Sequence, residues 1–273
     1  MLGHYSYTPH RSGINEVIER VMADFEKSQR EMDAALSTIK TCPGPCADQT
    51  VEISLPGKKP YRTECPIASR DCHYGARLTA ILDSFLIGLM SNIGVPVRHL
   101  DNITSSVGSV AIKSAESWQR RGFLVLTGIP GVGKSFAAAR AIKSYLGMRI
   151  DNWFARRNWE AAATAAESIV WASAKETVDD KLLAGRIRSC QLAALDDLGK
   201  EDDTRTGVAA VRDVITKRYD AKLPTIITSE LTLLDIQNRY GRYIAERLVE
   251  DYCSKIVDCG GESFRLREAA PHD

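Results

Sequence analysis

The sequence has no apolar run long enough to cross a membrane. A spanning helix needs about 20 consecutive apolar residues, and the best candidate, Ile81 to Met90, is far shorter. The first residues, Met1 to Ser6, lack the charged segment and apolar stretch of a secretion signal. We therefore expect a cytoplasmic protein that makes no membrane contact.

The sequence also lacks an excess of charge of either sign. The 36 Lys and Arg residues nearly balance the 35 Asp and Glu residues, which leaves a formal net charge of +1. A uniformly basic surface is thereby excluded, so contact with nucleic acid requires a local basic patch. The candidates for such a patch are Arg120, Arg121, Arg186, Arg188, Lys217 and Arg218. A solvated charged face is the alternative for each of them.

Cysteine is sparse outside one segment. Residues 41–75 hold four of the seven cysteines and five of the ten prolines, with one strand-like run from Val51 to Leu55. A segment with so many turns has too few apolar residues to fold without a metal site or another cross-link. Its cysteines form two pairs, of spacing C-x₃-C and C-x₆-C, that are 18 residues apart, as in zinc ribbons. We expect Zn²⁺ to be bound by Cys42, Cys46, Cys65 and Cys72, with His73 as a substitute for Cys72; four unligated thiols are the alternative.

The other three cysteines, Cys190, Cys253 and Cys259, lie in apolar surroundings and are expected to be buried as small hydrophobic residues. Apolar residues at three- and four-residue steps predict helices over residues 14–39 and 77–93. The first is amphipathic, so it either packs on its own domain or receives a partner. A further helix is expected at about residues 105–118.

The most informative stretch is Gly128 to Ser135, which matches the phosphate-binding loop G-x-x-x-x-G-K-[ST] at every fixed position. It lies between a β-prone run and a helix-prone run, as that loop requires. Backbone N–H groups of such a loop surround phosphate oxygens at a helix N-terminus. Lys134 is expected to reach the β- and γ-phosphates, and Ser135 to hold Mg²⁺. The expected ATP-binding residues are Gly128, Ile129, Pro130, Gly131, Val132, Gly133, Lys134, Ser135 and Phe136.

Around this loop, strand-like runs alternate with helical segments, which is typical of an α/β fold. The expected strands span residues 123–127, 168–172, 191–195, 224–229 and 254–259. The third strand ends in the paired acids Asp196 and Asp197, an arrangement that resembles a Walker B element. Asp196 is expected to hold Mg²⁺ through water, and Asp197 to orient the attacking water; a solvated turn is the alternative.

The fourth strand ends in Thr228 and Ser229. We expect it to lie beside the strands that carry the phosphate loop and the paired acids. One of its two hydroxyl groups is then expected near the γ-phosphate, in the position of a first sensor.

From Gly94 to the C-terminus the chain resembles the AAA+ ATPases of the DnaC/DnaI helicase-loader group and their IstB relatives. The resemblance rests on the phosphate loop and on Leu195 to Gly199, Pro224 to Ser229, Glu246-Arg247-Leu248 and Gly260 to Arg265. It implies an AAA+ P-loop NTPase fold with a central parallel sheet.

The same resemblance implies roles for two arginines. Arg247 corresponds to the arginine finger that reaches a neighbouring subunit's ATP, and Arg265 corresponds to the second sensor. Residues 97–99 would lie near the adenine. Glu230 stands where these relatives often have Asn, so the identity of the first sensor stays open.

The N-terminal part departs more from these relatives. Helicase loaders use this region to grip the replicative helicase, and the DnaI type carries a zinc module there. We therefore expect residues 1–75 to form a small helical, zinc-binding domain for a partner. Residues 76–100 are expected to form a linker helix, and residues 101–273 the AAA+ ATPase domain.

The expected function is that of an ATP-dependent loader, which places a hexameric replicative DNA helicase on single-stranded DNA. By the resemblance, such a protein assembles into a ring or spiral oligomer. One alternative is an IstB-like transposition helper that acts on duplex DNA. The other is an ATP-gated binding switch with little hydrolysis, since Asp197 is one methylene shorter than the Glu of many relatives.

Overall fold

The computed structural model describes residues 86–101, 103, 108–154, 168–250 and 254–264, without the side chains of residues 148–154. It also describes residue 23 and the strands at residues 50–53 and 61–64. The chain divides into two compact units with a boundary between Gly88 and Leu89. This boundary falls inside the segment 76–100.

The N-terminal unit contains an antiparallel hairpin of β1 (Thr50–Ile53) and β2 (Tyr61–Glu64). The first strand confirms the strand predicted from the apolar run in this segment. In sequence, the hairpin lies between the two cysteine pairs. The four cysteines, His73 and the predicted helix at 14–39 fall outside the described residues, apart from the isolated residue 23.

The second unit is built on a parallel sheet of five strands in the order β4-β5-β6-β3-β7. The strands are β3 (Phe123–Thr127), β4 (Ile169–Ser173), β5 (Leu192–Leu198), β6 (Thr225–Ser229) and β7 (Lys255–Asp258). All five predicted strands are therefore confirmed, and their ends differ from the predicted ones by at most three residues. Every residue of β3 and of β6 is buried, as expected for strands that are covered on both faces.

Helices precede β3 and connect the parallel strands of this sheet. They are α1 (Val110–Ser117), α2 (Lys134–Phe154), α3 (Ala174–Asp179), α4 (Lys181–Ser189), α5 (Arg205–Asp220), α6 (Leu233–Tyr240) and α7 (Arg242–Glu250). Ser109 caps α1 by accepting a hydrogen bond from the backbone N–H of Ile112 at 3.2 Å. Residues 86–92 are also helical, in agreement with the helix predicted over 77–93.

The strand order decides where the site lies. β6 pairs with β3 on one side and with β5 on the other, which confirms the predicted position of the fourth strand. Because the carboxyl ends of parallel strands meet at one edge of a sheet, the loop after β3 and the acids of β5 lie at the same edge. No helix in the described part of the chain has the length and apolar character needed to cross a membrane.

Candidate functional site

The phosphate loop connects β3 to the N-terminus of α2, as its sequence predicts. Gly131 has a φ of +85°, and a Cβ added there would lie 2.0 Å from Ser263 Oγ, so another residue does not fit. The backbone N–H of Phe264 donates to the Gly131 carbonyl at 3.0 Å. The segment after β7 therefore packs directly on the phosphate loop. Arg265 follows immediately and lies outside the described residues.

Lys134 is buried against its own loop. Its ammonium group donates to the carbonyl oxygens of Gly128 at 2.6 Å and of Ile129 at 2.8 Å. Burial lowers the pKa of this ammonium group, and neighbouring acidic groups, Glu230 foremost, oppose that lowering. The charge is thus held in a partly dehydrated place, where its attraction for a phosphate is stronger than in water.

Asp196 is buried at the end of β5. Its Oδ1 accepts a hydrogen bond from the Thr228 hydroxyl at 2.5 Å, and it also has a side-chain hydrogen bond to Ser135. Burial raises the pKa of the Asp196 carboxyl, while these two hydrogen bonds act to lower it. The two residues predicted to hold Mg²⁺ are therefore side by side, and their oxygens are of the kind that Mg²⁺ prefers.

Asp197 occupies an irregular position in β5. The sequence predicted that the strand stops before the acids, whereas the strand runs through them to Leu198. The pairing of β5 with β6 shifts register between Leu195 and Leu198, and Asp197 has a φ of +55°. Its backbone N–H donates to the Thr228 hydroxyl oxygen at 3.0 Å. The irregularity lets one threonine contact both acids.

Both candidate first-sensor hydroxyls are engaged inside the fold. The Thr228 hydroxyl contacts Asp196 and Asp197, as described above. The Ser229 hydroxyl donates to the Leu198 carbonyl at 2.6 Å and accepts from the Leu231 N–H at 3.0 Å. The observed contacts of Thr228 are with the paired acids, and its role as a first sensor stays a prediction.

Glu230 follows β6 and forms an ion pair with Lys200, with Nζ and Oε2 2.5 Å apart. Lys200 closes the turn after β5, where its backbone N–H donates to the Asp197 carbonyl at 3.0 Å. In the sequence, Glu230 stands where helicase loaders often have Asn. Its ion pair with Lys200 was not predicted from the sequence. The signal was present, because both residues follow strands that end at the site.

Glu201 is a buried residue that sequence reasoning also missed. Its carboxylate accepts hydrogen bonds from the Gly199 N–H at 3.0 Å, from Arg239 Nε at 2.9 Å and from the Tyr240 hydroxyl. Burial alone would raise the pKa of Glu201, but these bonds outweigh it and leave the pKa below its usual value. Glu201 thereby ties the turn that follows the paired acids to α6.

The helical phase of residues 244–248 predicts that Ile244 and Leu248 are buried and that Arg247 points outward. Ile244 and Leu248 are buried, but Arg247 lies against α5, with a side chain only 13% exposed. Its guanidinium group is 3.2 Å from Asp220 Oδ1 and stacks on the Tyr219 and Tyr243 rings. The two aromatic rings and Asp220 attract the cation, which explains the difference.

The short 3₁₀ helix Val97–His99 packs against α2. The charge of Arg98 acts to lower the pKa of the Asp196 carboxyl. The segment that resemblance placed near the adenine therefore lies on the side of the sheet that carries the phosphate loop.

The prediction that Arg218 contacts DNA is wrong. Arg218 is fully buried and donates to the carbonyl oxygens of Ile187 at 2.6 Å, Cys190 at 3.0 Å and Pro224 at 2.7 Å. Lys217 is exposed. The apolar phase of α5 could have indicated that position 218 faces inward.

Two of the three cysteines predicted to be buried, Cys190 and Cys259, are buried. Burial raises the pKa of the Cys259 thiol to about 11. Cys253 and the zinc-ligand candidates lie outside the described residues. Within the part of the chain that the structure describes, no group of three or more His, Cys, Asp or Glu residues could hold a metal ion.

The chain is similar in fold to several solved structures. One is described as DnaI, with 16% identity, a TM-score of 0.39 and coverage of 61% of this chain and 81% of that chain. Another is the DnaC helicase loader, with 18% identity, a TM-score of 0.39 and coverage of 61% and 91%. A third is a candidate primosome component from Streptococcus pyogenes serotype M3, with 16% identity, a TM-score of 0.41 and coverage of 64% and 97%. Similarity at this level identifies no substrate or partner.

A comparison with curated proteins finds no match. The family model described as "IstB-like ATP binding protein" matches residues 109–271, which is more than half of the chain. This range contains the phosphate loop, the paired acids and the strand that carries Thr228. The chain therefore belongs to the IstB-like ATP-binding family, within the AAA+ class that its motifs predict.

Proposed function

We propose that the protein hydrolyses ATP and uses the cycle to place a replicative DNA helicase on single-stranded DNA. The observation that carries the hydrolytic part is the cluster of Ser135, Asp196 and Thr228 beside Lys134. Lys134 would bind the phosphates, while Ser135 and Asp196 would hold Mg²⁺. Bound Mg²⁺ supplies positive charge that offsets the charge developing on the transferred phosphoryl group.

The helicase-loading part rests on the N-terminal unit. Its cysteine pairs flank in sequence an antiparallel hairpin, β1–β2, which is the element that a zinc ribbon places between its two knuckles. We propose that Cys42, Cys46, Cys65 and Cys72 bind one structural Zn²⁺. The resemblance to DnaI-type loaders assigns such a module to the grip on the helicase. Short helical N-termini without cysteines are more usual among transposition helpers.

Assembly into a ring or spiral is also part of the proposal. By the family resemblance, Arg247 completes the ATP site of a neighbouring subunit. Its contacts with Asp220, Tyr219 and Tyr243 hold it within its own chain, so it would have to leave them to act on a neighbour. Hydrolysis that depends on assembly follows from this arrangement.

A transposition helper is the second candidate function, because the family description that matches residues 109–271 is IstB-like. The two candidates differ in both partner and DNA. A loader captures a hexameric helicase and is stimulated by single-stranded DNA. A helper captures a transposase and responds to duplex DNA.

The discriminating experiment is an ATP-dependent pull-down with the full chain as bait, followed by ATPase assays with each form of DNA. Recovery of a hexameric helicase, with stimulation by single-stranded DNA, is expected. Recovery of a transposase, with stimulation by duplex DNA, would favour the second candidate. If partner capture requires ATP but no hydrolysis is measurable, ATP acts only as a switch for partner binding.

Single-stranded DNA binding should weaken as salt rises, because basic side chains that contact phosphates release counterions. Arg121 and Lys217 are exposed candidates for such contacts. An affinity that does not change between low and moderate salt would contradict a phosphate-based interface.

A further inference from the structure

The ion pair of Glu230 and Lys200 joins the turns that follow β6 and β5. Lys200 Nζ and Glu230 Oε2 are 2.5 Å apart, and the Glu230 side chain keeps 32% of its surface exposed. A carboxylate held in this way has one fixed oxygen while still being in contact with water. That is the state required of a group that accepts a hydrogen bond from a reacting water molecule.

Strand order places Glu230 at the edge of the sheet that carries the phosphate loop. β6 lies between β3 and β5. Glu230 directly follows β6, as the phosphate loop follows β3. Because the carboxyl ends of parallel strands meet at one edge, Glu230 leaves the sheet at the same edge as the phosphate loop and the paired acids.

The ion pair also connects Glu230 to the turn that carries the paired acids. Lys200 donates its backbone N–H to the Asp197 carbonyl at 3.0 Å, and its side chain holds Glu230.

Asp197 is less well suited to contact a water molecule at the γ-phosphate. Its φ of +55° and the register shift of β5 fix its backbone in an unusual conformation. Its N–H is bound to the Thr228 hydroxyl, and its side chain is one methylene shorter than that of Glu230. Asp197 also acts on Lys200, whose pKa it helps to raise after the larger effect of the hydrogen bond to Glu230.

We propose that Glu230 is the catalytic carboxylate that orients the attacking water, and that Lys200 is a positioning residue that holds Glu230; this rests on the proposed ATP hydrolysis. The water oxygen forms a bond to the γ-phosphorus while its proton passes to the Glu230 carboxylate. The bond from the γ-phosphorus to the β–γ bridging oxygen breaks, and its electron pair stays on ADP. Inorganic phosphate leaves, and Glu230 releases the proton to solvent.

The test compares E230Q and D197N with a matched control, E116Q. Glu116 is also an exposed carboxylate in an ion pair, 2.8 Å from Arg140, and it lies outside the site. We expect E230Q to lower kcat by about 100-fold, the size of a general-base contribution, with little change in the KM for ATP. E116Q should keep the wild-type kcat.

A second readout does not depend on turnover. If Glu230 faces the γ-phosphate as proposed, E230Q removes a like charge and should raise the ratio of ATP affinity to ADP affinity about fivefold. E116Q should leave this ratio unchanged. For Lys200, we expect K200M to lower kcat without changing KM, and K200R to restore most of the rate.

The outcomes separate the two levels of the proposal. If the wild type hydrolyses ATP and E230Q retains both its rate and its ATP-to-ADP ratio, Glu230 is a surface ion-pair partner and this inference is wrong. A loss of rate in D197N but not in E230Q returns the role to Asp197. If the wild type hydrolyses no ATP at any protein concentration, with or without DNA, the proposed hydrolytic function itself fails.

Discussion

The Thr228 hydroxyl donates a hydrogen bond to Asp196 Oδ1 at 2.5 Å and accepts one from the Asp197 N–H at 3.0 Å. One side chain on β6 therefore fixes both acids of the neighbouring strand. A hydrogen bond to a charged group contributes about 2 kcal/mol. Asp196 is the acid that would hold Mg²⁺, so the effect of Thr228 on nucleotide binding should pass through the metal.

We expect T228V to require about tenfold more Mg²⁺ for half-maximal ATP binding, since the lost hydrogen bond no longer favours the ionised Asp196. T228S keeps the hydroxyl and should behave as the wild type. The measurement is a Mg²⁺ titration of ATP binding. Equal Mg²⁺ requirements for T228V and the wild type would show that Thr228 does not position Asp196.

Glu201 should make stability depend on pH. Its folded-state pKa lies below the ordinary value of 4.5 because three hydrogen bonds outweigh the effect of burial. The stabilisation is therefore fully present above pH 4.5 and is lost as the pH falls through the folded-state pKa. We expect E201Q to lower the free energy of unfolding by about 3 kcal/mol at pH 7, with a difference that shrinks below pH 4.5. Chemical denaturation at several pH values measures this, with the exposed neighbour variant D202N as control. A difference that stays constant down to pH 3 would contradict it.

Arg247 should matter for hydrolysis in assemblies more than for nucleotide binding. We expect R247A to bind ATP normally and to lose the rise in ATPase rate per subunit with protein concentration. D220N removes the ion-pair partner but keeps the guanidinium group, so it should retain that rise. Mixing R247A with K134A should restore activity, because some interfaces then combine an intact Lys134 with an intact Arg247. Normal hydrolysis by R247A at all concentrations would leave Arg247 with a structural role against Tyr219 and Tyr243.

Zinc should accompany the N-terminal unit at about one ion per chain, which is the content of a four-ligand site. Elemental analysis of protein purified without chelators measures it. The double variant C42S/C46S should lose the metal, while C190S, which alters a buried cysteine of the other unit, should retain it. Metal-free wild type with four freely titratable N-terminal thiols would exclude the site.

The sheet and the phosphate loop could be predicted from sequence because their signals are local. Each strand of the parallel sheet is an apolar run bounded by polar residues, and the loop from Gly128 to Ser135 is a contiguous motif. The same holds for the acids at the end of β5. Contacts between side chains that are distant in sequence could not be predicted from these local patterns.

Three residues illustrate this limit. Arg218 follows the apolar phase of α5, but its burial depends on carbonyl groups of residues 187, 190 and 224. Arg247 was expected to be exposed, because helical phase does not report the aromatic rings and Asp220 of neighbouring elements. Glu201 meets Arg239 across 38 residues of sequence, and no pattern within either segment links them.

The central claim is that this chain binds ATP through Lys134, and equilibrium binding of ATP to the wild type, K134A and K217A tests it most directly. Lys217 is an exposed lysine on α5, so K217A controls for the loss of a positive charge. We expect K217A to bind as the wild type and K134A to bind about 100-fold more weakly, since charge-assisted hydrogen bonds to phosphate are lost. Thermal unfolding should confirm that both variants are folded. Folded K134A that binds ATP with wild-type affinity would contradict the assignment of the nucleotide site.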